Sequence, residues 1–209
     1  MPSPSSPLSA SPWLDALAEG EVAPVIEEDT PVTTGLRRPL RNVTADGGLL
    51  HDFRCPEGKI AVVGAHGGAG ESLLERVEPS LFSAADHCWP IAGTDFDVPA
   101  VVVARGDYLG LEAARAAGKQ WAAGELPGID LLGLIVMADQ PKQAKQLRDL
   151  ATVVGGLFPR LWVVGYSIDV RLEGSFGPSL PKDLRKLVSD VQILTKNTNK
   201  PHHHQGDFS

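Results

Sequence analysis

Residues 60–74 read IAVVGAHGGAGESLL, an apolar run that passes through a glycine-rich loop into the start of a helix. A strand that turns directly into a helix cannot return as a hairpin. A strand followed by a helix is the unit whose repetition makes an α/β domain with a parallel sheet. The rest of the chain repeats the alternation. Residues 98–104 (VPAVVVA), 131–137 (LLGLIVM) and 161–164 (LWVV) are continuous apolar runs of the kind buried on both sheet faces. Helical patterns follow at 72–78, 108–123, within 141–155 and at 180–194. The second predicts one face from Leu109, Ala113, Ala116, Ala117 and Trp121, and the third a face from Leu147, Leu150, Ala151 and Val154. Pro181 suits the first turn of the last helix, where a missing N–H is harmless. Trp89, Trp121 and Trp162 are expected in or beside the core, and residues 49–54 (LLHDFR) as an edge strand.

The loop is written like one that binds phosphate. Gly67, Gly68 and Gly70 allow positive φ and close approach of successive backbone N–H groups, and the following helix aims its positive end at the same spot. Ser72 occupies the hydroxyl position that ligates Mg²⁺. Glu71, however, stands where such a loop requires Lys. The exchange alters local charge by two units, each worth on the order of 4 kcal/mol against a phosphate about 4 Å away at an effective dielectric near 20. Glu in a first helical turn also has an ordinary structural reading, because it opposes the helix dipole and stabilises the empty loop. The candidate phosphate-binding residues are therefore His66, Gly67, Gly68, Ala69, Gly70, Glu71 and Ser72, with no catalytic residue and no metal site assigned.

HGGAGES resembles the deviant Walker A motif of the ParA/MinD family of P-loop NTPases, KGGxGK[ST], with His66 at the signature Lys and Glu71 at the general one. Both lysines are absent. Residues 101–114 (VVVARGDYLGLEAA) are similar to the family's strand and helix VxPxEYLALEGL, residues 131–137 to its "iLGvvlN" strand, and residues 165–176 (GYSIDVRLEGSF) to "IPRNVRLSEA". The resemblance covers residues 59–190 and implies a P-loop NTPase-like (Rossmannoid) sheet, mainly parallel and flanked by helices. It also implies shortening. The family places two further strands, carrying catalytic Asp residues, where this chain has only residues 80–97, too few for two strands and a crossover helix. Asp95 and Asp97 precede a strand, whereas ligand sites in such folds lie beyond strand carboxyl ends. Met137 aligns with the family's adenine-contacting Asn.

Residues 1–57 hold eight of the seventeen prolines and scattered apolar residues, which predicts a mostly disordered arm before an α/β domain at 58–194 and a polar tail at 195–209. Residues 12–17 (PWLDAL) suggest a helical turn in that arm, and Trp13, Leu14 and Leu17 a docking motif for a protein partner. His202, His203 and His204 read as part of the tail. His87 and Cys88 have no third ligand at metal spacing and read as packing, while Asp107 and Glu112 read as a cap and a surface charge. A net charge of -7 and a pI near 5.3 offer nothing to nucleic acid or an anionic membrane. Neither a signal peptide nor a run of roughly 18 apolar residues is visible, and Cys55 and Cys88 form no disulfide framework, so a cytoplasmic location is expected.

The resemblance and its departures together imply a non-hydrolysing pseudo-NTPase, an interaction or regulatory module in plasmid or conjugative-transfer functions. The alternative is a P-loop protein that binds a nucleotide or another anion, ATP or ADP with Mg²⁺ as cofactor, and hydrolyses slowly or with a partner's help. A ligase of the dethiobiotin-synthetase kind shares the loop, but nothing marks its second substrate. Homodimerisation stays open.

Overall fold

Ile60, Ala61, Val62 and Val63 have no exposed surface, a state open to a strand only when both faces of its sheet are covered. The computed structural model describes residues 48–83, 87–91, 97–177 and 179–198. Its elements are β1 (His51–Phe53), β2 (Ile60–Gly64), α1 (Glu71–Val77), β3 (Leu81–Ser83), β4 (Trp89–Pro90), β5 (Val98–Arg105), α2 (Tyr108–Ala122), β6 (Ile129–Met137), α3 (Lys145–Gly155), β7 (Leu161–Val164), α4 (Ile168–Glu173) and α5 (Lys182–Thr198). Five strands form one sheet in the order β3-β2-β5-β6-β7, and every pairing in it is parallel. The alternating side chains divide cleanly. Ala61, Val63, Ala100, Val102 and Ala104 pack with Leu111, Ala114 and Trp121 of α2 and Val154 of α3. Ile60, Val62, Val101 and Val103 pack with Leu74 of α1 and with Leu184, Leu187 and Val191 of α5. The result is a helix–sheet–helix sandwich.

One strand changes parity along its length. The partners of Ala100 and Val101 are Leu131 and Gly133, so Leu132 is an extra residue, a β-bulge. Leu131 therefore shares a face with Leu134 and Val136, and Leu132 shares the other with Ile135. Gly133 sits at the bulge under β7: a Cβ there would lie 2.7 Å from the Arg160 carbonyl oxygen and 2.5 Å from Trp162 Cζ3.

Three expectations are corrected. The buried stripe of α2 is Leu111, Ala114, Ala117, Gly118 and Trp121, and Leu109 is 77% exposed. Alanines pack equally well on several faces, so the two large residues, Leu111 and Trp121, set the orientation. Gly118 adds to this, because a Cβ on it would stand 2.8 Å from Phe158 Cε2. Second, residues 80–97 supply a fifth strand, β3, to the edge of the main sheet, with α1 as the crossover from β2. Third, Pro181 precedes α5, where its carbonyl accepts from Arg185 N–H at 2.9 Å. The segment expected as an edge strand does form β1, but it pairs in parallel with β4 as a separate two-stranded sheet. Residues 12–17 with Trp13, Leu14 and Leu17, Asp95, and His202 to His204 lie outside the described residues.

Two buried polar side chains fasten the periphery. Gln120 of α2 accepts from Leu49 N–H at 2.9 Å and from Trp89 Nε1–H at 2.8 Å, and donates to the Leu49 carbonyl at 3.0 Å. Its amide thus imitates a strand partner for the chain entering β1. Glu78, after α1, accepts from Ser80 N–H at 2.9 Å, Ser80 Oγ–H at 2.7 Å and Gln192 Nε2–H at 3.0 Å, joining α1, β3 and α5. Burial alone would raise the Glu78 carboxyl, but the Ser80 and Gln192 hydrogen bonds and the charge of Lys59 outweigh it and hold the group below its ordinary 4.5.

A Gly133→Ala substitution is expected to destabilise the domain by about 1–3 kcal/mol in urea unfolding, because a backbone carbonyl cannot move aside as a side chain can. Glu78, with a folded value below its unfolded one, contributes stability that is present above pH 4.5 and lost as pH falls through the folded value. Unfolding curves between neutral pH and pH 3 should therefore show a flatter acid limb in Glu78→Gln than in the unmodified chain.

Candidate functional site

The chain leaves β2 through α1 to β3 on one side of the sheet and later returns to β5 on the other side, so β2 and β5 bound the point where strand order reverses. In sheets of this kind the crevice for ligands lies there, outside the carboxyl ends of the strands. A cleft of about 250 Å³ occupies that end, lined by the turn Gly68 to Gly70, by Arg105 at the end of β5, by Met137 at the end of β6 and Asp139 after it, and by Tyr166 and Arg171 after β7.

The loop takes its shape from its glycines, though not from all of them. Gly68 has φ 73° and Gly70 φ 114°, whereas Gly67 does not enter the left-handed region. Gly70 is the residue before α1, which begins one position earlier than expected, at Glu71. Of the seven candidate residues, Gly68, Ala69 and Gly70 line the cleft, and His66, Gly67, Glu71 and Ser72 do not. Ser72 is exposed on α1.

Glu71 is only 8% exposed and is folded back beneath the loop. Its carboxylate lies against the Cα of Gly64, where any Cβ would overlap it, and accepts from His87 Nδ1–H at 3.0 Å. His87 therefore has a specific partner, which the packing reading missed. The position is costly: His87 is the one non-glycine residue with positive φ among those described, at 53°. A buried carboxylate needs a donor, and the backbone bends to provide it.

His66 is equally committed. Arg105 N–H donates to its Nε2 at 3.1 Å, so the ring proton sits on Nδ1, 2.9 Å from the Gly67 carbonyl that accepts it. The ring thereby clips the end of β2 to the end of β5, over Gly110, where a Cβ would come within 2.8 Å of Nε2. Asp107 caps α2, its Oδ1 accepting from Gly110 N–H at 2.6 Å, and Glu112 pairs with Arg115 at 2.5 Å on the surface, both as expected. Asp97 is exposed at the start of β5, the end of the strand away from the cleft.

Two cationic residues escaped the sequence reading. Arg105 donates from Nη2 to the Gly68 carbonyl at 3.2 Å and has Nη1 3.6 Å from Asp107 Oδ2. Arg171 donates from Nη2 to the Asp139 carbonyl at 3.0 Å. The available signal was positional: Arg105 closes a strand at its carboxyl end, where side chains meet ligands. Met137 Cγ is 3.4 Å from the place a Cβ on Gly70 would take, so its thioether covers the loop from the cleft side.

Among the described residues no three His, Cys, Asp or Glu side chains are placed to hold a metal, and no helix is long and apolar enough to cross a membrane. Neither Cys55 nor Cys88 is joined in a disulfide. Burial pushes the Cys55 thiol up to about 11 against a smaller opposing pull from Lys59, so it is protonated and unreactive at neutral pH.

The chain belongs to a family of unknown function, DUF6668, whose model matches residues 58–188. No curated protein and no solved structure matches it.

Removing the partner of Glu71 tests the buried pair. His87→Ala should cost about 1–3 kcal/mol in denaturant unfolding, the penalty of a buried acceptor left without its donor. His87→Asn, which tolerates the left-handed backbone and can donate, should recover most of it.

Proposed function

We propose that this chain is a non-hydrolysing, degenerate relative of the ParA/MinD P-loop ATPases, cytoplasmic, serving as an interaction or regulatory module of the plasmid or conjugative-transfer kind its resemblance implies. The observation that carries the reading is the place of Glu71. At the position where a P-loop lysine would reach into the cleft, this side chain turns away from it and is tied to His87 against Gly64. The pocket behind the loop is thereby filled with a carboxylate–imidazole pair.

The remaining residues support the same direction. His66 is engaged in holding β2 to β5, Ser72 does not face the cleft, and Met137 offers a thioether in place of an amide for reading a base. A Mg²⁺-bound triphosphate finds neither its lysine nor its hydroxyl ligand there, and no catalytic step is assigned. The interaction role is supported by the rim. Tyr108 (60% exposed) and Leu109 (77%) start α2, and Ile168 (54%) and Leu172 (78%) lie on α4. Both helices begin beyond strand carboxyl ends, so these large apolar side chains flank the cleft end of the sheet, as partner-binding surfaces do. A protein partner, docking there or through Trp13, Leu14 and Leu17, or a second copy of the chain, fits this role.

Calorimetric titration with Mg-ATP and ADP, beside a Glu71→Lys variant, tests the proposal. The unmodified chain is expected to bind neither nucleotide at micromolar concentration and to release no phosphate from ATP. A gain confined to Glu71→Lys supports the reading, and micromolar binding by the unmodified chain overturns it in favour of a nucleotide-binding P-loop.

A further inference from the structure

The cleft contains two mismatched charges. Arg171 lines it, and among the described residues no carboxylate pairs with its guanidinium, whose one recorded bond goes to the Asp139 backbone. Asp139 lines it as well, and its Oδ1 is buried without a hydrogen-bond partner among the described residues. A cation without an anion thus stands beside a carboxylate oxygen without a donor, and the two do not satisfy each other. Buried polar atoms in native proteins nearly always have partners, so an orphan of this kind calls for one. Arg105 faces the same space from β5, with Met137 and Ala138 between the two arginines along the strand ends. Arg171 spends one N–H on a backbone carbonyl, and Arg105 spends one on the Gly68 carbonyl with Nη1 3.6 Å from Asp107 Oδ2; both retain further N–H groups for a ligand.

A ligand that completes this set must bring an oxyanion to the arginines and an N–H or O–H to the Asp139 carboxylate, whose side chain must turn to open Oδ1, now closed to solvent. It must also be small. About 250 Å³ falls below the usual range for ligand pockets, roughly 300–1,000 Å³, and suits a compound of amino-acid size rather than a nucleotide. We infer that the cleft binds a small phosphorylated or carboxylated compound carrying an ammonium or hydroxyl group, its anion held between Arg105 and Arg171 and its donor by Asp139. The inference goes beyond the pseudo-NTPase reading, because it depends on Arg105 at the end of β5 and on Asp139 and Arg171 after β6 and β7, and on nothing at position 71.

Titration calorimetry on the full chain with O-phosphoserine, aspartate and inorganic phosphate tests it. O-phosphoserine or aspartate, whichever anion the arginines prefer, should bind about tenfold more tightly than inorganic phosphate, which lacks the ammonium donor. Arg105→Gln and Arg171→Gln should each weaken that binding by about tenfold or more. Asp139→Asn should erase the advantage over inorganic phosphate, because it removes the acceptor charge for the ammonium and, with it, a repulsion against phosphate itself. All three side chains lie at the cleft margin outside the core, and unfolding midpoints check that the variants fold. Arg105→Lys, which keeps the charge, should retain part of the affinity. Glu71→Lys separates the two readings: it adds a cation at the loop side of the cleft and leaves Arg105, Asp139 and Arg171 in place, so binding of the small probes should persist or tighten in it. The inference is overturned if none of the three probes binds, if binding survives the Arg105→Gln, Arg171→Gln double change, or if Glu71→Lys abolishes it.

Discussion

Everything in this domain follows from a parallel strand that must be buried on both faces. β2 carries side chains of alternating direction with no exposed surface, and a parallel sheet has no short way to connect its strands. The connections from β2 to β3, β5 to β6 and β6 to β7 are helices that cover the faces, and all five strands of the sheet end on the same side. The cleft is a product of that geometry before any residue in it is considered. The turn after β2, Arg105, Met137 and Arg171 come from four distant parts of the chain and meet because four strands point the same way.

Much of this was legible in the sequence, and the exceptions have physical causes. The strands at 60–63, 98–104, 131–137 and 161–164 could be read because burial on both faces leaves an unbroken apolar run. β3 and β4 could not, since three and two residues carry no period. The face of α2 was misplaced because its stripe is built from alanine and glycine, which mark no direction on their own. At the site, glycine spacing located the loop but said nothing about where Glu71 points. That depends on Gly64 and His87, one seven residues earlier and the other sixteen later, brought together only by the fold. Arg171 stood inside a segment that had been noticed for its family likeness, without any sign that it would share a cleft with Arg105.

The Glu71–His87 pair also changes what the loop means. A charge of the wrong sign in a phosphate site would be a simple repulsion. Here the carboxylate is withdrawn from the cleft and partnered, and the cost has been moved to the backbone of His87, held in a conformation that most residues avoid. The loop retains its left-handed glycines at 68 and 70, yet the space behind it has been rebuilt around a different pair of side chains. The cations that remain at this end of the sheet belong to other strands and point to a different occupant.

Gln120 has a consequence for where this domain begins. The family match starts at residue 58, after β1, and a boundary drawn there would seem natural. The carboxamide of Gln120, however, holds both polar groups of Leu49, 71 residues away, and shares its oxygen with the Trp89 indole. A chain cut at 58 would keep Gln120 and Trp89 in place but strip away β1 and the backbone that completes their bonding. The packed domain therefore reaches back at least to Leu49, nine residues upstream of the family boundary.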